Sequence, residues 1–294
     1  TGVEVALKWQ DRAGDFNYSL GVNVSHNVNK VTRLANEEGI LHGQANVIAQ
    51  NIAEVYRCEV GKPMGFFYGY KTLGVFQNQA QIDAFTGPLV QDKSKVQPGD
   101  LIYADVNGDG KIDKDDLGMI GNPHPSVNMG VNINMSWKGI DLAINGYGAF
   151  GQDIIRCYRM FSNTPDHNYT NTGVNIYWTG EGSTNKYPRF TDGKNVNMAF
   201  GEYVPDSWVE DGSYFKISNI TLGYDFATLW KAKGKKGIGK LRLFVTAKNC
   251  ITFTGYKGMD PEVGYGSGDS WASGIDIGYY PSSRAILTGL SITF

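Results

Sequence analysis

The strongest restriction on the fold is a run of regularly alternating apolar and polar residues in the middle of the chain. Between residues 127 and 137 every second side chain is apolar, and Asn, Gly or Ser fills the positions between them. Because successive side chains of a β-strand point to opposite faces, the run predicts one apolar face and one polar face. A tight turn at Lys138 and Gly139 follows, and the alternation resumes at residues 140–144. This stretch therefore predicts a two-faced β-hairpin.

The same alternation predicts further long strands towards both ends of the chain. It is clear at residues 16–24 and returns at 241–247 and 286–294. The apolar positions change parity at Ser218 and Asn219, which predicts a β-bulge there. Short polar turns at one end of the strands and long loops at the other are typical of a transmembrane barrel. A strand of about 9–11 residues is long enough to cross a bilayer.

Two fold classes fit this pattern. In a transmembrane antiparallel β-barrel, lipid contacts the apolar face and water contacts the polar face. In a soluble β-sandwich, the polar face is simply the outside of the protein. We predict an all-β protein and favour the barrel because its strands are long. The barrel hypothesis assigns lipid to the face with Phe16, Val131 and Leu290, and water to the face with Asn17, Asn132 and Ser291.

The composition supports this fold class and argues against several kinds of partner. Glycine accounts for 38 of the 294 residues and aromatic residues for 13%, which favours strands and turns over helices. A net charge of −2 gives no reason to expect nucleic acid as a partner. No apolar run reaches the roughly 18 residues of a transmembrane helix. Cys58, Cys157 and Cys250 are far apart, and we expect them to be free, small hydrophobic side chains.

An acidic loop before the hairpin has the spacing of an EF-hand calcium site. Positions 1, 3, 5, 7, 9 and 12 of the motif are occupied by Asp105, Asn107, Asp109, Lys111, Asp113 and Asp116. Gly110 stands at the sixth position, where the motif turns sharply, and Lys111 would offer only its backbone carbonyl. Oxygen ligands in this order suit Ca²⁺, although Asp at the last position closes a site less firmly than Glu. The alternative is an Asx-rich turn whose side chains bind the loop's own backbone.

The sequence carries no catalytic signature. It contains no Gly-x-Ser-x-Gly elbow, no Gly-x-x-x-x-Gly-Lys phosphate loop and no His-Glu-x-x-His zinc motif. Asp206, Glu210 and Asp211 cluster near Trp208 and could suggest glycosidase chemistry, but a charged turn before a strand is the simpler interpretation. We therefore predict that the protein is not an enzyme.

Five blocks of sequence resemble blocks that occur in the same order in the C-terminal half of SusC/RagA-family proteins. These proteins are TonB-dependent outer-membrane transporters of Bacteroidetes. The blocks are residues 60–77, 99–125, 208–226, 255–263 and 280–294. They include Gly-Lys-Pro-Met-Gly-Phe-Phe at 61–67, the acidic loop at 105–116, and Gly-Tyr-Lys-Gly-Met-Asp-Pro-Glu-Val at 255–263. Because the blocks span most of the chain, the resemblance is much more specific than the acidic loop alone.

The resemblance implies nutrient import across the outer membrane of a Gram-negative, Bacteroidetes-type bacterium. The family's barrel is 22-stranded, filled by an N-terminal plug and capped by a SusD-like surface lipoprotein, and it imports glycans or peptides with energy from TonB. On this basis residues 1–294 form the C-terminal barrel portion, with the loop 105–116 inserted between strands and Phe294 as an assembly signal. The plug, the TonB-contacting segment and the first half of the barrel are absent from this sequence, so we expect a fragment.

The alternative function is that of a secreted, calcium-binding β-sandwich that binds carbohydrate through Tyr and Trp side chains. Such a protein stays in solution without detergent, whereas a barrel wall does not. The aromatic residues of the loops do not separate the two functions, because they suit both stacking on sugar rings and an interfacial aromatic girdle.

Overall fold

The computed structural model describes residues 1–48, 51–157, 177–189, 196–197, 199–232, 239–264 and 269–293. The strands, in chain order, are β1 Gly2–Ala13, β2 Phe16–Asn27, β3 Ile40–His42, β4 Tyr56–Glu59, β5 Phe66–Tyr70, β6 Thr72–Val75, β7 Leu101–Tyr103, β8 Leu117–Gly121, β9 Val127–Trp137, β10 Ile140–Phe150, β11 Asp153–Arg156, β12 Val209–Asp211, β13 Tyr214–Asp225, β14 Lys240–Thr254, β15 Ile275–Asp276 and β16 Ala285–Thr293. The helices are α1 Gln79–Ala84 and α2 Ala227–Ala232, with single 3₁₀ turns at Lys93–Lys95, Lys114–Asp116 and Asp206–Trp208.

A seven-stranded sheet, hereafter the wall, contains the long strands in the order β1-β2-β9-β10-β13-β14-β16. All of its neighbouring strands are antiparallel. Two of the connections at one end are two-residue turns, at residues 14–15 and 138–139. Lys138 and Gly139 both have positive φ, 45° and 90°, as a tight hairpin turn with right-handed strand twist requires. The hairpin predicted from the alternating run is confirmed.

The strand register keeps the apolar residues of neighbouring strands on one face of the wall. Leu20 lies opposite Ile133, Ile133 lies opposite Ile144, and Ile144 lies opposite Ile220. Polar residues are matched in the same way on the other face, where Asn132 lies between Gly21 and Asn145. The two faces predicted from single strands are therefore continuous across the sheet.

A β-bulge interrupts the wall at the predicted position. The pairing of β10 with β13 shifts after Asn145, and the pairing of β13 with β14 shifts between Ile217 and Asn219. Ser218 is the extra residue, and its Oγ donates a hydrogen bond to the carbonyl of Asn145 at 3.1 Å. This bond gives a backbone carbonyl at the irregular part of the ladder a side-chain donor.

The hydrophobic core lies outside the wall, in the long connections at its other end. We call the described residues of 28–126, 151–213 and 255–284 the loop module. The three clusters of buried apolar residues all belong to it, and the largest fully buried side chains include Trp208, Tyr56, Phe67, Ile155 and Ile275. Three small sheets build this core: β12-β11-β15, β3-β4-β5-β8 and β6-β7.

No described residues cover the apolar face of the wall in this way. Leu290 is 60% exposed and Leu20 is 41% exposed, and Phe16 and Val131 are half-buried. A soluble sandwich packs this face against a second sheet, so the sandwich alternative is not supported. Within the described part of the chain, no helix is long and apolar enough to cross a membrane. Cys58, Cys157 and Cys250 are free, as expected.

Candidate functional site

The acidic loop connects β7 to β8 on the surface of the loop module. Gly108 and Gly110 adopt positive φ, 77° and 84°, and Gly110 makes the sharp turn at the sixth position, where the motif has its glycine. Ile112 is buried in a cluster with Tyr70 and Tyr103 and anchors the loop to the module. The spacing read from the sequence therefore forms one compact turn.

The loop's side-chain oxygens accept hydrogen bonds from its own backbone. Asp105 accepts from the N–H groups of Gly108 at 2.7 Å and Gly110 at 2.9 Å. Asn107 accepts from the N–H of Asp109, also at 2.9 Å. Asp109 and Asp113 make the same kind of bond two residues ahead, to the N–H groups of Lys111 and Asp115. This is the geometry of successive Asx turns.

Asp116 closes the loop from the inside. Its side chain is 1% exposed and accepts from the N–H groups of Val106 at 2.7 Å, Asn107 at 3.3 Å and Asp113 at 2.9 Å. A buried carboxylate with three backbone donors needs no counter-ion to satisfy its lone pairs. Burial, together with the nearby charges of Asp116 and Asp113, raises the pKa of Tyr70 to about 12.

The residues predicted as calcium ligands thus lie together, but their oxygens serve the backbone. Among the described residues, no group of three or more His, Cys, Asp or Glu side chains is arranged to hold a metal ion. The bonding matches the self-satisfying turn that the sequence left open as the alternative. Calcium binding by Asp105, Asn107, Asp109, Lys111, Asp113 and Asp116 stays a prediction.

The carboxylates suggested for glycosidase chemistry each make a separate structural contact. Asp206 accepts from the N–H of Thr72 at 3.2 Å and from its hydroxyl at 2.6 Å. Glu210 forms a buried ion pair with Arg156 at 2.9 Å. Asp211 accepts from the N–H of Ser213 at 2.9 Å. These contacts fix the start of β12 and the turn after it, as the simpler interpretation predicts.

An open cavity of about 440 Å³ lies beside these carboxylates. Asp153 and Lys186 also line it. Burial raises the pKa of Asp153, whose carboxylate accepts from the N–H of Asn122 at 2.8 Å. The Lys186 ammonium donates a hydrogen bond to the backbone carbonyl of Val209 at 2.6 Å. Like the carboxylate of Asp153, this charged group already has a backbone partner.

A charged cluster joins the wall to the loop module, and sequence reasoning did not find it. Lys216, on the polar face of β13, is only 3% exposed at its side chain. Its ammonium contacts the carboxylate of Glu262 and lies 3.8 Å from that of Asp260. Glu262 also accepts from the hydroxyls of Tyr147 and Tyr214. The one sequence feature that indicates this cluster is Lys216 itself, a single lysine at a position of β13 that faces the polar side of the wall.

A second charged cluster holds the loop module together. Asp100 is 1% exposed and accepts from Arg189 Nε at 2.6 Å and from Asn197 Nδ2 at 2.7 Å. It also accepts from the N–H of Gln97 at 2.9 Å. These bonds tie residues far apart in sequence to the segment before β7, and so they hold the base of the acidic loop.

Comparison with known proteins finds similarity to TonB-dependent receptors. No model of a protein family matches it. It is 30% identical over 285 residues to "TonB-dependent receptor P3" of Formosa agariphila, which covers 95% of this chain and 27% of that protein. It is 28% identical over 286 residues to "TonB-dependent receptor SusC" of Bacteroides thetaiotaomicron, covering 95% and 25% respectively. The predicted relationship to SusC/RagA-type TonB-dependent receptors is confirmed.

The fold agrees with solved structures of the RagAB peptide importer. The structure in the "closed-closed" state matches with a TM-score of 0.69 at 20% identity, over 100% of this chain and 29% of that chain. The "open-open" state gives a TM-score of 0.67, also at 20% identity, over 100% and 28%. The predicted fold class, a portion of a transmembrane antiparallel β-barrel, is confirmed.

These matches cover almost all of this chain but only part of each relative. The chain spans little more than a quarter of the length of the curated relatives it matches. The relatives are TonB-dependent receptors and not enzymes, which agrees with the prediction that the protein is not an enzyme. Their location is the outer membrane, which agrees with the predicted location. Phe294 lies outside the described residues, so its role as an assembly signal stays a prediction, as do the domain boundaries.

Proposed function

We propose that this chain forms part of the wall and the external loops of an outer-membrane importer that takes up glycans or peptides. The observation that carries the proposal is the two-faced wall: its apolar face is exposed, and its polar face is joined to a folded loop module. Lipid is the solvent that suits the first face, and an aqueous passage suits the second. The names of the relatives support the same activity.

The open edges of the wall fit this role. β1 and β16 each have one wall neighbour, so each leaves a row of backbone groups unpaired within the described sheet. Unpaired backbone groups are costly in hydrocarbon, which is why membrane sheets close into barrels. In the proposed importer, further strands pair with both edges and close the barrel.

We propose two protein partners for the complete importer. A SusD-like surface lipoprotein covers the loop module, and the TonB complex acts through a part of the importer that lies outside this chain. Support comes from the match to SusC and from the fold shared with the RagAB peptide importer. Purification of the complete receptor from its native membrane tests the first partner: an associated lipoprotein is expected, and a receptor that is always recovered alone contradicts the proposal.

We also propose that Ca²⁺ stiffens the acidic loop 105–116. Support comes from the EF-hand spacing and from the compact turn that brings these oxygens together. Since the backbone already uses many of the same oxygens, we expect weak binding that changes loop order but leaves the barrel intact. Hydrogen exchange of the loop with Ca²⁺ and with EGTA measures this; identical exchange in both conditions contradicts calcium binding.

Membrane contact of the apolar face can be tested by fluorescence quenching with brominated phospholipids. Trp9 lies on this face and is 64% exposed, whereas Trp208 is 1% exposed in the loop module. Variants of the complete receptor that keep only one of these tryptophans are reconstituted into vesicles. Strong quenching of Trp9 and none of Trp208 is expected, and equal quenching contradicts the proposed orientation.

The imported nutrient can be tested in a deletion strain complemented with the complete receptor. Growth is compared on oligosaccharides and on short peptides as the limiting nutrient, at concentrations too low for passive entry. Restored growth on one class identifies the cargo. Growth that is independent of the receptor on both classes contradicts the proposed import of glycans or peptides.

A further inference from the structure

A second cavity, of about 400 Å³, lies where the wall meets the segment between β14 and β16. Its lining combines polar-face residues of the wall with residues of the covering segment: Lys216, Thr252, Thr254, Asp260, Ser282 and Arg284. Its lining differs from that of the cavity at Asp206, because it contains two basic side chains and one carboxylate, whereas one basic side chain and four carboxylates line the other. We call it the lumen-face cavity.

The carboxylates beside the lumen-face cavity are already satisfied. Asp260 accepts from the N–H of Glu262 at 3.1 Å and from both the N–H and the hydroxyl of Ser282 at 2.9 Å. Although burial raises the pKa of Asp260, these hydrogen bonds outweigh it and hold the pKa below its usual range. The ammonium of Lys216 lies against both carboxylates. The negative charges of Asp260 and Glu262 are therefore already compensated by contacts within the protein.

Two further cations at this site have no such partner. Arg284 lines the cavity, is exposed, and makes no hydrogen bond or ion pair within the described residues. Lys248 is also exposed and, over the same described ranges, forms no ion pair. The register places Lys248 opposite Asn219 and Ala285, on the polar face next to the cavity-lining residue Asn249. The cavity lining itself contains two cations, Lys216 and Arg284, and one carboxylate, Asp260, while Lys248 stands next to the lining on β14.

The hydroxyl of Thr252 adds a neutral donor between these charges. It lies on the polar face of β14, opposite Lys216, and has no hydrogen-bond partner among the described residues. A guanidinium, an ammonium and a free hydroxyl are the donors that proteins use to hold an oxyanion, and the planar guanidinium matches a carboxylate with two parallel bonds.

We propose that the lumen-face cavity binds a carboxylate group of the imported solute, with Arg284 as its main contact and Lys248 and Thr252 beside it. The inference rests on the proposed import function and makes it more specific: the cargo is an acidic oligomer. The carboxylate could belong to a uronic acid of a glycan or to the C-terminus of a peptide. Both sources present the same planar, singly charged group.

Binding to the complete, detergent-solubilised receptor tests this proposal by isothermal calorimetry. The probes are trigalacturonate and its methyl ester, and tetra-alanine and its C-terminal amide, so that each acid has a neutral counterpart. We expect one acid to bind at least about tenfold more tightly than its neutral form, since hydrogen bonds to a charged group are stronger than those between neutral groups. The pair that shows the preference identifies the source of the carboxylate.

Matched variants separate the site from general charge effects. Arg284→Gln is expected to remove most of the preference for the acid, and Lys248→Gln a smaller part. Lys8→Gln is the control, because Lys8 alternates with Leu7 and Trp9 and so lies on the same polar face at the far edge of the wall. This control is expected to bind like the unmodified receptor.

Three results overturn the carboxylate site: equal binding of acid and neutral forms, a preference that survives Arg284→Gln, or no binding of either acid. If the receptor still inserts with Trp9 in lipid, such a result removes only this inference. A receptor whose Trp9 is not quenched by lipid instead removes the proposed import function, whichever probe binds.

Discussion

Replacement of Lys216 by methionine is expected to release the segment between β14 and β16 from the wall. Methionine keeps much of the side chain's length but removes the charge that Glu262 and Asp260 share. Loss of one partner from a buried ion pair costs about 3–5 kcal/mol, because the remaining charge is left uncompensated. Asp260 and Glu262 are 14% and 24% exposed at their side chains, so we expect the lower end, about 3 kcal/mol.

Hydrogen exchange with mass spectrometry measures this change in the complete receptor. A free-energy loss of about 3 kcal/mol corresponds to roughly a hundredfold rise in the open population, since each 1.4 kcal/mol is a factor of ten. Backbone amides of residues 255–264, which carry Asp260 and Glu262, should exchange faster by about that factor, whereas amides of β2 and β9 in the wall should not change. Local opening of this kind leaves the rest of the structure folded.

Two further variants decide whether the charge is responsible. The double variant Lys216→Met with Glu262→Met should recover part of the protection, because the nearer of the two carboxylates is then no longer left without its cation, although Asp260 remains. Lys8→Met, on the same polar face, should have no effect. Unchanged exchange in Lys216→Met, or equal loss in the single and double variants, would refute the reasoning.

Three other predictions follow from single contacts. Gly69→Ala should lower the free energy of unfolding by about 1–3 kcal/mol, seen as a lower melting temperature in detergent, because an added Cβ in buried β5 would clash with the backbone carbonyl oxygen of Val204; an unchanged melting temperature contradicts it. Asp116→Ala should loosen residues 105–116 by about 3 kcal/mol, since three backbone N–H groups lose a charged acceptor, and accelerated exchange confined to the loop is the readout. The hydrogen bond from Glu38 raises the pKa of His42 above 6.5, so its small stabilising contribution should be complete below pH 6.5 and lost as pH rises through the raised pKa; NMR titration of its ring checks the direction, and a pKa at or below 6.5 contradicts it.

The wall could be predicted from the sequence because one local rule determines it. Each strand has lipid on one side and water on the other, so side chains alternate with a period of two and the pattern is visible without tertiary information. The bulge was found for the same reason, since an extra residue at Ser218 changes the parity of the strand. The tight turn at residues 138–139 followed from the position between two alternating runs.

The loop module could not be predicted in the same way. Its strands are short, and β5 is buried along its whole length, so it shows no alternation. The cluster around Lys216 joins residues separated by tens of positions, and nothing local in the sequence connects Lys216 to Glu262. The acidic loop makes the sharp turn expected at Gly110, but the partners of its oxygens depend on backbone geometry that spacing does not specify.

The location of the hydrophobic core in the loop module sets different tolerances to substitution in the two parts of the chain. Lipid tails are fluid and adapt to any aliphatic shape, so exchanges among Leu, Ile and Val on the outer face of β14 or β16 should be nearly neutral. Around Trp208 and Phe67 the neighbours are fixed, and loss of even one methylene leaves a void that costs about 0.5–1.5 kcal/mol. Among related chains, the membrane-facing aliphatic residues should therefore vary freely among Leu, Ile and Val, whereas residues in the packed interior of the loop module should change only together with their neighbours.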